Sequence, residues 1–109
     1  MMKDYHVVND VAGHLEIPSD GVRSEILYDE ADAKATLFAF ARSAHFFEHT
    51  TPDSVQIHVL AGEATFTVDG DILEVSEGSL VYIPAGTPHG VRAQTPAVLL
   101  ATFLKGGKQ

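Results

Sequence analysis

Apolar and polar residues alternate along most of this chain with a period of two, the repeat of a strand whose successive side chains point to opposite faces. The clearest case is the stretch 36–42. Thr36, Phe38, Phe40 and Arg42 fall on one face, and Leu37, Ala39 and Ala41 on the other. The runs 22–28, 55–60, 64–68, 72–75, 80–83, 89–93 and 98–104 also read as strands. Asp69-Gly70 between two of them is a strong hairpin signal, and Ala61-Gly62-Glu63 and Ser76-Glu77-Gly78-Ser79 supply further turns. Residues 29–35 are polar and too short for a stable helix, which predicts a loop or a single turn. Within 1–21, Val7-Val8 and Leu15-Glu16-Ile17 are short strand candidates set among turn residues, and 105–109 reads as a frayed tail. Turn signals recur about every eight to twelve residues with no convincing helix, so the fold class is all-β, a sandwich or barrel.

Composition narrows the function classes. At 109 residues the chain suits one domain with one core. Apolar residues make up 45% and charged residues 20%, which is the make-up of a globular protein. Seven Lys and Arg against fifteen Asp and Glu leave a net charge of −8. That field repels nucleic acid and anionic membranes, so neither is an expected partner. The absence of cysteine excludes disulfides, thiolate metal sites and a nucleophilic thiol. No apolar leader opens the chain and no run reaches the length of a membrane span, so the expected location is the cytoplasm.

The candidate chemistry gathers around Gly78-Ser-Leu-Val-Tyr-Ile-Pro-Ala-Gly-Thr-Pro-His-Gly-Val-Arg-Ala93. Pro84, Gly86 and Pro88 break one strand, and His89 begins the next just behind a stiff bend. A side chain held in that way is preset as a metal ligand or proton carrier. Upstream, Ser43, His49, Thr51, Val55 and Gly62 form a second spaced set.

Together these stretches resemble the two motifs of the cupin superfamily. The second motif is Gly, five residues, Pro-x-Gly, two residues, His, with Asn four places beyond. Gly78, Pro84, Gly86 and His89 match it, and Ala93 stands in place of the Asn. The first motif is Gly, five residues, His-x-His, three or four residues, Glu, six residues, Gly. Here His49 and Gly62 match, while Ser43, Thr51 and Val55 replace the first Gly, the second His and the Glu. The resemblance covers roughly residues 22–104, with residues 63–77 between the motifs. It implies an antiparallel double-stranded β-helix, or jelly-roll β-barrel, over 22–104, preceded by an N-terminal extension at 1–21.

The resemblance also implies a divalent transition metal (Fe, Mn, Ni, Cu or Zn) inside the barrel, held by the motif histidines and glutamate. Carried over position by position, His49 and His89 survive. Two imidazoles fall short of the three protein ligands a catalytic site normally supplies. A one-residue register shift in strand 55–60 would turn Gln56 and His58 inward and rebuild a site from His49, His58 and His89, with Gln56 as a weak oxygen ligand. Without that shift Val55, Ile57 and Val59 face inward. His45 is expected in a solvated loop, Glu48 and Asp53 as solvated charges, and His6 and His14 take no role. The aromatic residues 38, 40, 46, 47, 66, 82 and 103 are expected mostly in the core, some lining a cavity that suits an apolar or aromatic small molecule. Arg42 on the same strand as Phe38 and Phe40 is a candidate for meeting an anionic ligand. Three functions compete: a metal-dependent enzyme of dioxygenase or isomerase type, a metal-free small-molecule binding or sensing protein, and an assembly module. Apolar residues on both faces of some strands add a homodimer to the expectations.

Overall fold

In the computed structural model, which describes residues 4–106, two antiparallel sheets face each other. The described strands are β1 (Val22–Asp29), β2 (Ala33–Phe40), β3 (His45–His49), β4 (Ser54–Ala61), β5 (Glu63–Val68), β6 (Asp71–Ser76), β7 (Leu80–Ile83), β8 (His89–Ala93) and β9 (Ala97–Leu104). A five-stranded sheet has the order β1-β2-β9-β4-β7, and a four-stranded sheet the order β3-β8-β5-β6. This is the all-β jelly-roll barrel that the alternation and the two motifs predict. Among the described residues no helix is long and apolar enough to cross a membrane.

Period-two alternation fixes which side chains enter the barrel. On β4 Val55, Ile57 and Val59 are buried, while Gln56 and His58 between them are exposed. Phe40 and Leu99 of the same sheet meet Phe66 and Ala64 of the other in one apolar cluster. Each fully buried Phe, Val or Ile of this kind contributes about 1.5–3 kcal/mol over its exposed state. Gly62 closes β4 at φ 86°, and a Cβ there would lie 2.2 Å from the Pro96 carbonyl oxygen. Only glycine fits, which is the physical content of the last position of the first motif.

The other face of β2 is covered too. Ala35, Leu37 and Ala39 point away from the barrel interior yet are almost fully buried. The N-terminal segment is tied to the neighbouring edge strand of this sheet. It carries the partly buried Val8, Val11, Leu15 and Pro18, and two of its histidines reach β1 and the turn beyond it. The His14 imidazole pairs with the Glu25 carboxylate at 2.8 Å. His6 pairs with Glu30 at 2.6 Å and stacks on Tyr28 with ring centroids 5.3 Å apart. The two strand candidates expected in 1–21 do not form strands; the described regular element there is a 3-10 turn at Val11–Gly13.

Two further corrections concern the ends of elements. β2 begins at Ala33, inside the stretch expected to be loop, because Lys34 and Ala35 pair with Phe103 and Thr102 of β9. At the C-terminal end Lys105 is held: its N–H donates to the Asp32 carbonyl at 3.0 Å, and its ammonium donates to the Asp29 carboxylate and the Glu30 carbonyl. The hydrogen bond from Lys105 lowers the Asp29 pKa below the ordinary carboxylate range. Residues 107–109 of the expected tail lie outside the described residues.

Candidate functional site

One end of the space between the sheets is a cavity of about 80 Å³. Its walls are apolar: Phe38 and Phe40 from β2, Val55 and Ile57 from β4, Phe66 from β5, and Leu99, Ala101 and Phe103 from β9. Phe46 of β3 completes an edge-to-face aromatic cluster, with its centroid 5.5 Å from Phe38 and 5.2 Å from Phe40. The polar side chains lining this cavity are His49, Thr51 and His89.

His89 and His49 reach the cavity by different routes. His89 starts β8 behind the turn in which the Thr87 N–H bonds the Pro84 carbonyl. The Gly86 N–H bonds the Thr51 carbonyl at 2.9 Å, so the second-motif bend is tied to the first-motif loop. His89 is only 6% exposed. His49 lies across from it on β3, at the rim, and the ring centroids are 4.5 Å apart at an interplanar angle of 55°.

A β-bulge turns His49 inward. Phe46 pairs with Val91 and His49 with His89, so Phe47 and Glu48 together oppose the single residue Gly90. Strict alternation from Phe46 would put His49 on the outer face. The extra residue restores it to the inner one. Gly90 makes room for this: a Cβ there would lie 3.0 Å from the Phe46 carbonyl oxygen and 3.2 Å from the Glu48 nitrogen, both backbone atoms of the bulge. The bulge also leaves Phe47 on the outside, 80% exposed.

Each imidazole is fixed by its own backbone. Nδ1 of His49 lies 2.9 Å from the Phe47 carbonyl oxygen, and Nδ1 of His89 lies 2.9 Å from that of Thr87. A carbonyl oxygen can only accept, so both Nδ1 atoms carry the hydrogen, and in the neutral ring both Nε2 atoms are lone-pair donors to whatever binds. The Thr51 hydroxyl donates to the Asp53 carbonyl at 2.8 Å.

The metal-ligand set predicted from sequence does not converge. His49 and His89 are brought together, but Gln56 and His58 lie on the outer face of the five-stranded sheet, opposite Tyr82 and Leu80 of β7. The register shift proposed for β4 does not occur between Val55 and Val59; pairing with both neighbours is regular through His58, and the β4–β9 register shifts only between Val59 and Ala61. Val55 and Thr51 do line the cavity, at the positions of the motif glutamate and second histidine, without supplying a carboxylate or an imidazole. Among the described residues no three His, Asp or Glu side chains converge on a point that could hold a metal ion.

Other expectations divide. Phe38, Phe40, Phe46, Phe66 and Phe103 line the cavity, while Phe47 and Tyr82 are exposed. Arg42 lies past the end of β2, exposed, and donates to the Gln94 carbonyl at 3.0 Å instead of entering the barrel. His45 is in β3 and not in a loop, exposed and edge-on to Phe47 at 4.6 Å. Gly90 was missed as a site determinant. Its signal, a glycine within a strand directly after the motif histidine, marks a close backbone approach.

Comparison with known proteins agrees with this architecture. The family model described as Cupin domain matches residues 36–103. A conserved protein of unknown function from Streptococcus pyogenes superposes with a TM-score of 0.85 at 25% identity, over 97% of this chain and 93% of that one. An RmlC-like cupin protein from Desulfovibrio desulfuricans is also 25% identical, with a TM-score of 0.76 over 95% of this chain and 97% of that one. A cupin superfamily protein from Desulfitobacterium hafniense gives 0.79 at 22% identity, covering 83% of each chain. No curated protein matches the sequence. With the family model spanning both motifs and solved cupins sharing the two-sheet barrel, the chain belongs to the cupin domain family.

Proposed function

We propose that this protein binds a small, largely apolar molecule inside its barrel and does so without a resident catalytic metal. The observation that carries this is the cavity lining: an aromatic and aliphatic wall with two imidazoles, 4.5 Å apart, and one threonine as its polar side chains. Burial of ring or chain surface against that wall supplies affinity, and the polar side chains fix orientation.

The residues present do not fit the metal centre that the family resemblance implies. Val55 offers no donor atom, the Thr51 hydroxyl is turned to the Asp53 carbonyl, and Gln56 and His58 are across the sheet. Two imidazoles remain, short of the three protein ligands of a catalytic site. An ion bound by these two alone would exchange readily with chelator. Elemental analysis of protein purified without affinity-tag metal tests this: well under one equivalent of transition metal per chain is expected. One retained equivalent, lost in His89→Ala, would overturn the metal-free reading.

A homodimer belongs to the same proposal. Leu80 (60% exposed) and Tyr82 (57% exposed) stand beside His58 and Gln56 on the outer face of the five-stranded sheet, where a second copy would bury them. Light scattering at micromolar concentration distinguishes monomer from dimer.

A further inference from the structure

We propose that the cavity selects its ligand by hydrogen-bond direction, taking a compact apolar molecule that carries a hydroxyl group, a phenol or a small alcohol, in preference to an ether, a ketone or a carboxylate of the same size. This rests on the small-molecule reading above and adds the ligand class to it.

The selection follows from an inventory of polar atoms. His49, Thr51 and His89 are the polar side chains on the lining, and no charged residue lies among the lining residues. The Nδ1 hydrogens of His49 and His89 are used on the Phe47 and Thr87 carbonyls. The Thr51 hydrogen is used on the Asp53 carbonyl. What the lining side chains leave uncommitted is therefore two Nε2 lone pairs and the remaining lone pair capacity of Thr51 Oγ1. These are acceptors, with no free side-chain donor beside them among the described lining residues.

Such a site discriminates strongly. A hydroxyl gives its hydrogen to an imidazole and keeps its own oxygen toward the rim, where His49 is exposed. An ether or ketone oxygen leaves water and meets only other acceptors, so its hydrogen bonds are lost without replacement. A carboxylate meets the same acceptors and in addition loses its hydration with no cation beside it. An ammonium finds acceptors but no counter-charge among aromatic and aliphatic walls. The neutral donor is the group that incurs none of these costs. The walls suit a ring: Phe38, Phe40 and Phe46 already stand edge-to-face with one another. A shallower hollow lined by Phe38, Phe46, Phe47 and His49 shares the mouth, so a substituent opposite the hydroxyl has room outside.

Phenol, anisole and benzoate are matched probes for calorimetric or NMR titration of the full chain at pH 8 with EDTA present, where an ordinary imidazole is neutral. Phenol is expected to bind about tenfold or more tightly than anisole, and benzoate most weakly. In His89→Leu, which removes the buried acceptor, phenol and anisole should bind within about threefold of each other. If that variant does not fold, His49→Ala at the exposed rim should still narrow the gap. Equal binding of phenol and anisole by the wild-type protein would overturn donor selection while leaving the cavity reading intact. Binding of none of the three would overturn the cavity reading itself. Tighter binding of benzoate than phenol would show a charged donor at the site and contradict the inventory. Nitrogen-15 shifts of the imidazoles give an independent check: both rings are expected as the Nδ1–H tautomer, and an Nε2–H ring at His89 would contradict the proposal without any ligand.

Discussion

His49 on β3 and His58 on β4 end up on opposite sides of the wall. On β4 the ladder to β7 and β9 is regular through His58, alternation holds, and the ring points outward. On β3 the ladder to β8 slips between Phe46 and His49, alternation breaks, and the ring points inward beside His89. A single extra residue in one ladder decides which histidine belongs to the cavity. Residue type says little about this; the partner strand says everything, because Gly90 is where the bulge finds its space.

The largest effect is expected where β4 is terminated. Gly62→Ala drives a Cβ into the Pro96 carbonyl and holds a non-glycine residue at φ 86°, and overpacking together with backbone strain should cost about 3 kcal/mol or more. Urea unfolding checks this, and a midpoint unchanged from wild type would mean that the close approach to Pro96 is absent.

Gly90→Ala tests the bulge itself. The new Cβ crowds the Phe46 carbonyl and the Glu48 nitrogen, which must give by a few tenths of an ångström. A stability loss of about 1–2 kcal/mol is expected. It should come with changed His49 ring shifts and weakened ligand binding, while His58 shifts stay in place. A variant that loses stability but keeps the His49 environment would separate the bulge from the site.

Ser43→Gly should move stability the other way. Ser43 sits at φ 70° in the position where the first cupin motif has glycine. Relief of left-handed strain of about 1–2 kcal/mol, offset by about 0.5–1 kcal/mol of added chain entropy, leaves a gain of up to about 1.5 kcal/mol. Thermal unfolding reads it directly, and a loss would show that the Ser side chain is needed at this turn. His58→Ala is expected to be the mildest change, within about 0.5 kcal/mol in stability and without effect on ligand binding. A strong loss of binding would return His58 to the site and contradict the regular β4 ladder.

These four substitutions also mark what the sequence could convey. Every described strand but β3, the hairpin at Asp69-Gly70 and the two-motif framework were legible because alternation, turn chemistry and glycine spacing are local signals; the short apolar pairs within 1–21 gave the same signal without forming strands. His89 was legible for the same reason, since its bend is made by Pro84, Gly86 and Pro88 in one stretch. The inward face of β4 was not, because either register satisfies the local pattern and only pairing with β7 and β9 chooses between them. The bulge in β3 depends on a residue some forty places away, Gly90, and has no signature within β3 (about forty being the gap between the paired strands). The two-sided apolar pattern of β2 was correctly visible, but a sequence cannot say what covers the second face. The chain's own N-terminal segment, tied by the His6–Glu30 and His14–Glu25 pairs, brings partly buried apolar residues to that sheet's edge strand.

The most direct test is a titration of metal-free, isotope-labelled protein with phenol, followed by two-dimensional NMR. Shift changes concentrated at Phe46, His49, Phe66, His89 and Leu99, with Gln56 and His58 unmoved, are the predicted result. Changes centred on His58 and Tyr82, or none until a transition metal is added, would contradict a metal-free cavity built on His49 and His89.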